Sequence, residues 1–136
     1  MGSSSSPERL TTLPSPEAPS LPRRGEVWNV NFSPQVGSEI MKVRPAVVMS
    51  LDSVGTLPLR VVVPITDWKS HYASKLWFVR LDPTLDNGLA KVSGADCFQM
   101  KSMDLKRFVK RIGRLTTLQL EEIAAGVALM VGYQPS

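Results

Sequence analysis

The sequence predicts an α+β fold that is mainly β, a small, strongly bent sheet or partly open barrel with one C-terminal helix. Two observations predict it. Short apolar or alternating runs of strand length, separated by Gly, Pro and Asn, fill the chain from residue 27 to residue 113. The hydrophobic period then changes from two to between three and four in a single final stretch.

Residues 1–22 hold five of the eleven prolines and six serines. With almost no hydrophobic periodicity they read as a disordered tail, so the folded domain is expected over residues 23–136. Residues 27–32 alternate, with Trp28, Val30 and Phe32 on one face and Asn29 and Asn31 on the other, as in a half-buried strand. Residues 33–43 contain Pro34 and Gly37 and read as a loop. Residues 45–51 (PAVVMSL) form a continuous apolar run, expected to be a central strand. Residues 59–66 (LRVVVPIT) form another, but Pro64 cannot donate to a ladder, which places this strand at an edge or bulge. Residues 76–81 supply a fourth strand, Asn87-Gly88 offers tight-turn chemistry, and residues 92–101 and 109–113 complete the set. In the final stretch Leu120, Ile123, Ala124, Val127, Met130 and Val131 make one helical stripe. Thr116 and Gln119 fit a capping box, and Gly126 implies close approach by another backbone.

At 136 residues, 43% of them hydrophobic, the chain suits one packed domain. A net charge of +4 admits an acidic partner without specifying one. The single cysteine, Cys97, excludes an intramolecular disulfide and reads as a small buried residue. No apolar run reaches the roughly 18 residues of a membrane span, and residues 1–22 lack a secretory h-region, so a cytoplasmic protein is expected. His71, the one histidine, is far in sequence from Cys97. No metal set or cofactor is therefore expected, and any hydrolytic chemistry must proceed without zinc.

Four features could carry chemistry. Pro45 holds Arg44 out of the helical region at a strand entrance, where the guanidinium either caps a sheet or binds phosphate oxygens. Ser38 and Glu39 precede it in the same loop, and the carboxylate could orient Arg44, accept protons or remain an exposed acid. Thr66 ends an apolar strand, as a simple terminus or as a hydroxyl donor to a phosphoryl oxygen. Between Gln99 and Arg114 lie Lys101, Lys106, Arg107, Lys110, Arg111 and Arg114 with Asp104 as the only acid. Phe98, Phe108 and Trp68 offer faces for base stacking, so this run fits either single-stranded nucleic acid or a solvated sheet edge.

Six segments occur together in order: RGEVW (24–28), SPQVGSE (33–39), VRPAVV (43–48), VVVPIT (61–66), FQMKSMD (98–104) and RIGRLT (111–116) before the helix. Over residues 24–132 the chain resembles the MazF/PemK family of toxin endoribonucleases. The resemblance implies an SH3-like, partly open barrel of the CcdB/PemK type and a homodimer. It also implies a cognate antitoxin that lays an acidic, partly disordered segment over an RNA groove, with DNA binding by the complex. It gives Arg44 the place of the catalytic arginine and Thr66 that of its partner hydroxyl. Glu39 is the candidate base, while Ser38, Gln99, Lys101 and Ser102 would contact RNA. The implied reaction is metal-independent cleavage of single-stranded mRNA by 2′-hydroxyl attack, leaving a 2′,3′-cyclic phosphate and a 5′-hydroxyl. A gyrase poison like CcdB and a non-catalytic RNA-binding regulator are the alternatives on the same fold. Asp67, where a small polar residue is frequent, and Lys101, where arginine is also common, depart from the family pattern.

Overall fold

The computed structural model describes residues 20–34 and 42–134. Residues 1–19, together with Ser38 and Glu39, lie outside the described residues. The short apolar runs form seven strands: β1 (Glu26–Asn31), β2 (Val43–Val48), β3 (Leu59–Asp67), β4 (Phe78–Leu81), β5 (Ser93–Asp96), β6 (Lys101–Asp104) and β7 (Phe108–Arg114). One helix, α1 (Thr117–Met130), follows. The strands make one antiparallel sheet in the order β4-β5-β3-β2-β1-β7, with β6 also paired to β3. Among the described residues no ladder joins β7 back to β4 or β6, so the bent sheet remains partly open, as expected.

Both faces of the sheet are covered. Val27, Val47, Val63 and Ile65 pack with Leu81, Leu115 and Ile123 in one cluster, which α1 seals with Leu120, Ala124 and Val127. Trp28, Val30, Ala46, Val48, Val62 and Met103 form a second cluster on the other face, joined by Phe32 and Phe108. The alternation read in β1 is present, since Trp28, Val30 and Phe32 share the second cluster. The strand is not half-buried, however. It lies between β2 and β7, Val27 is 0% exposed in the first cluster, and Asn31 is buried with its side-chain oxygen accepting the Ser33 N–H.

Pro64 does not mark an edge. β3 is flanked by β2 on one side and by β6 and β5 on the other. The β6 ladder ends at Val62 and the β5 ladder begins at Ile65, so Val63 and Pro64 fall in the gap between them. A residue without an N–H is tolerated there because no second-side ladder runs through it. The stretch expected as one strand over 92–101 is likewise divided, by a 3-10 turn at Cys97–Gln99.

The capping box of α1 is present: Thr116 accepts the Gln119 N–H and the Gln119 side chain accepts the Thr116 N–H. Val131 leaves the stripe and is exposed at the helix end. Gly126 admits a side chain rather than a backbone, because an added Cβ would sit 2.7 Å from Cys97 Sγ. Burial first, and the neighbouring Asp96 second, push the Cys97 thiol up to about 11. At pH 8 roughly one thiol in a thousand is then thiolate. Iodoacetamide at pH 8 is expected to leave folded protein unlabelled and to modify Cys97 completely in denaturant; rapid native labelling, read by mass spectrometry, would contradict this packing.

Two buried charged groups went unflagged in the sequence. Glu26, 6% exposed, accepts the Trp28 indole N–H at 3.0 Å and the Arg23 N–H at 2.9 Å, and pairs with Arg111 at 3.0 Å. Glu26→Gln keeps acceptors for the first two and loses the ion pair. It is expected to cost about 1–2 kcal/mol, read from the urea midpoint; an unchanged midpoint would remove the pair from the stability of the fold. Arg60, 4% exposed, donates to the carbonyls of Pro22, Gly55, Leu57 and Leu59, fastening the start of the domain to β3. No helix among the described residues is long and apolar enough to cross a membrane.

Candidate active site

The β2–β3 ladder ends at the Ala46–Pro64 pair. Neither Pro45 nor Pro64 has an amide hydrogen to continue the pairing. Two residues beyond that pair on each strand, Arg44 and Thr66 lie on the face that holds Ala46. On the far side of β3, Thr66 pairs with Gly94 and the neighbouring β4–β5 pair is Phe78–Asp96. Two rows of residues therefore cross the sheet on one face: Arg44, Thr66 and Gly94 in the first, Pro64, Asp96 and Phe78 in the second.

Above these rows lies an open cleft of about 480 Å³, lined by Phe32, Lys42, Arg44, Pro64, Ile65, Thr66, Tyr72, Phe78, Asp96, Gln99 and Lys101. It continues the face of the second core cluster, which contributes Phe32 at its rim. Lys42, Arg44 and Lys101 supply three cations against one carboxylate, Asp96. The Arg44 side chain is exposed and makes no hydrogen bond or ion pair among the described residues. Its guanidinium fork is thus available to an anion. Lys101 stands over the Phe32 ring, 5.7 Å from its centroid.

One wall is aromatic. Tyr72, from the 3-10 turn Ser70–Ser74, stacks on Phe78 with centroids 3.8 Å apart and planes 5° from parallel, and Trp68 meets Tyr72 edge-on at 5.8 Å. Gly94 makes room for this wall: an added Cβ would lie 3.1 Å from Trp68 and 3.2 Å from Phe78. Asp96 accepts the Phe98 N–H at 3.2 Å. Its carboxyl pKa is raised, chiefly by burial, against the pull of the Phe98 and Gln99 N–H groups.

The sequence-derived candidates separate cleanly. Arg44, Thr66, Gln99 and Lys101 share the cleft. Ser102 does not line it, being exposed on β6 one residue from Lys101 and so facing the opposite way. Ser38 and Glu39 belong to the segment that connects Pro34 to Lys42, outside the described residues. The ends of that segment are held, since Arg107 donates to the carbonyls of Asn31, Ser33 and Pro34, and Lys42 N–H donates to Ser33 Oγ at 2.7 Å. Asp67 does not line the cleft either and pairs with Lys91 at 3.0 Å. His71 is exposed against Tyr72, and no group of three or more His, Cys, Asp or Glu among the described residues could hold a metal ion.

The arginines of the basic run are committed to structure. Arg107 holds carbonyls, while Arg111 and Arg114 face Glu26 at 3.0 and 3.9 Å. Phe108 is packed edge-on against Trp28, and Phe98, though 66% exposed, sits against Trp77. The aromatic rings of the cleft are instead Phe32, Tyr72 and Phe78, which sequence reasoning missed together with Lys42 and Asp96. Their positions depend on cross-strand register, for which a single sequence carries no local signal.

The model of the PemK-like, MazF-like toxins of type II toxin–antitoxin systems matches residues 23–131. The chain is 33% identical over 113 residues to the endoribonuclease MazF9 of Mycobacterium tuberculosis, covering 79% of this chain and 93% of that protein. It is 30% identical over 104 residues to the endoribonuclease PemK of Escherichia coli, covering 74% of each. A crystal structure of MazE–MazF from Deinococcus radiodurans superposes with a TM-score of 0.68 at 24% identity, over 85% of this chain and all of that one. With its sheet, its helix and nearly all of its described residues inside the matched range, the chain belongs to the PemK-like, MazF-like family of toxins of type II toxin–antitoxin systems.

Proposed function

We propose that this chain is a metal-independent endoribonuclease that cuts single-stranded RNA, and that Arg44 and Thr66 carry the reaction. The observation behind this reading is the cleft that Arg44 and Thr66 line together with Lys42 and Lys101. The endoribonuclease names of the two relatives support it.

In this mechanism the 2′-hydroxyl attacks the adjacent phosphorus, the bond to the 5′-oxygen breaks, and the products carry a 2′,3′-cyclic phosphate and a 5′-hydroxyl. Negative charge grows on the non-bridging oxygens as the attack proceeds. The Arg44 fork and the Thr66 hydroxyl donate to those oxygens, which is where preorganised donors accelerate a reaction most. Lys42 and Lys101 attract the flanking phosphates, Gln99 adds a neutral contact, and the Tyr72–Phe78 wall offers stacking surface. Glu39 is the proposed base for the 2′-hydroxyl, and Ser38 a proposed RNA contact.

The antitoxin is the natural inhibitor in this scheme. A MazE–MazF complex is known for the related Deinococcus protein, and an acidic segment suits a cleft whose charged lining is mostly cationic. A homodimer completes the reading, supported by exposed Leu118, Leu129 and Val131 on and after α1.

Purified protein is expected to cut a long unstructured RNA in EDTA and to leave ends that phosphatase cannot open until acid hydrolyses the cyclic phosphate. Salt-sensitive RNA binding without such products would instead identify a non-catalytic regulator.

A further inference from the structure

We propose that Asp96 selects guanine at a nucleotide adjacent to the scissile phosphate, a reading that rests on the nuclease function above. A carboxylate in a phosphate-binding cleft opposes the ligand unless it meets a donor-bearing part of the nucleotide. Asp96 is such a group. It lines the cleft with Lys42, Arg44 and Lys101, yet forms no ion pair with them or with any other described residue. The 3-10 turn fixes its orientation through the Phe98 N–H, and a carboxylate with about four lone-pair sites retains acceptors for a ligand.

Its placement suits a base rather than a phosphate. Asp96 lies two residues from Gly94, the residue opposite Thr66, which is about 7 Å along β5 and within the reach of one nucleotide. The cross-strand partner of Asp96 is Phe78, whose ring is stacked on Tyr72. Gly94 leaves the intervening position without a side chain.

An ionised carboxylate only accepts hydrogen bonds. Guanine alone presents two adjacent donors, N1–H and the exocyclic N2–H, along its Watson–Crick edge. Cytosine and adenine set an acceptor beside their amino group, and uracil flanks one donor with two carbonyls. A bidentate carboxylate contact therefore favours guanine, in a single strand whose edge is open to be read.

The test begins with end mapping of a random-sequence RNA pool cut by the intact protein, followed by a synthetic substrate of the preferred sequence. Guanine is expected at one fixed position beside the cut. Replacing that guanine with inosine, which lacks the N2 amino group, is expected to lower kcat/KM about 10-fold for the wild type. Asp96→Asn should lower cleavage of the guanine substrate by about the same factor, with no further penalty from inosine. Cutting with no fixed guanine overturns the assignment, and so does an inosine penalty undiminished in Asp96→Asn. If that variant fails to fold, a wild type that cuts the inosine substrate as fast as the guanine one still overturns the assignment. A pool left wholly uncut removes the nuclease reading and this one with it, whereas cutting without guanine preference removes this one alone.

Discussion

Arg44→Ala is expected to lower the rate of RNA cleavage in EDTA by on the order of 100- to 1000-fold, the usual effect of deleting one preorganised donor to a developing oxyanion. Arg44→Lys should recover only part of the loss, because an ammonium keeps the charge but not the planar fork. The fold should be indifferent to either change. The Arg44 side chain is exposed, and it holds no hydrogen bond or ion pair among the described residues. Its thermal midpoint is therefore expected to stay within about 2 °C of wild type. Single-turnover cleavage of an unstructured fluorogenic RNA, measured beside a melting curve, separates activity from stability. An Arg44→Ala protein that melts normally and cuts at the wild-type rate would remove the guanidinium from the mechanism.

The largest effect on stability is expected at Gly88. Its φ of +72° lies where an L side chain is strained, and an added Cβ would stand 2.1 Å from the Ile112 carbonyl oxygen. The contact is reciprocal, since a Cβ on Gly113 would stand 2.4 Å from the Asn87 carbonyl carbon. Backbone thus presses on backbone where residues 86–88 cross β7, tied by the Arg114 N–H to Asp86 carbonyl bond of 2.7 Å. Nothing at the end of a flexible side chain can move aside. Gly88→Ala is expected to cost roughly 2–5 kcal/mol, adding about 1–2 of φ strain to about 1–3 of overpacking, against a typical total of about 5–15. Gly55→Ala is the control: its φ is +61°, but the nearest atom to an added Cβ is 4.0 Å away, so only the strain of about 1 kcal/mol applies. Urea midpoints for both variants test the comparison, and a wild-type midpoint for Gly88→Ala would show that the loop does not press on β7.

The Asn87-Gly88 pair shows how far local chemistry reaches. Its residue types announced a special backbone, and Gly88 has one, but not as a two-residue hairpin. Asn87 is 0% exposed, accepting the N–H groups of Thr84 and Leu89 and donating to Asp82, inside the connection from β4 to β5. Pro64 gives the same lesson. Its missing N–H was read as the sign of an edge or a bulge, whereas β3 changes partners at that residue and remains central. The charge run from Lys101 to Arg114 fitted either a nucleic-acid groove or a solvated edge; its arginines face Glu26 and the carbonyls of 31–34, while Lys101 lines the cleft. What the sequence left open in each case is which element lies beside which.

By itself the sequence determined everything carried by neighbours along the chain: the strand-length apolar runs, the Thr116–Gln119 cap, the buried thiol, and an extended Arg44 before Pro45. These follow from side-chain period, hydrogen-bonding capacity and ring closure, all set within a few residues. Tertiary structure alone decided that Arg44 and Thr66 line one cleft, that Asp96 and Phe78 join them there, and that Glu26 absorbs the arginines of β7. Those meetings are fixed by the register between strands far apart in the chain, and register is a property of how the whole sheet buries its two faces at once.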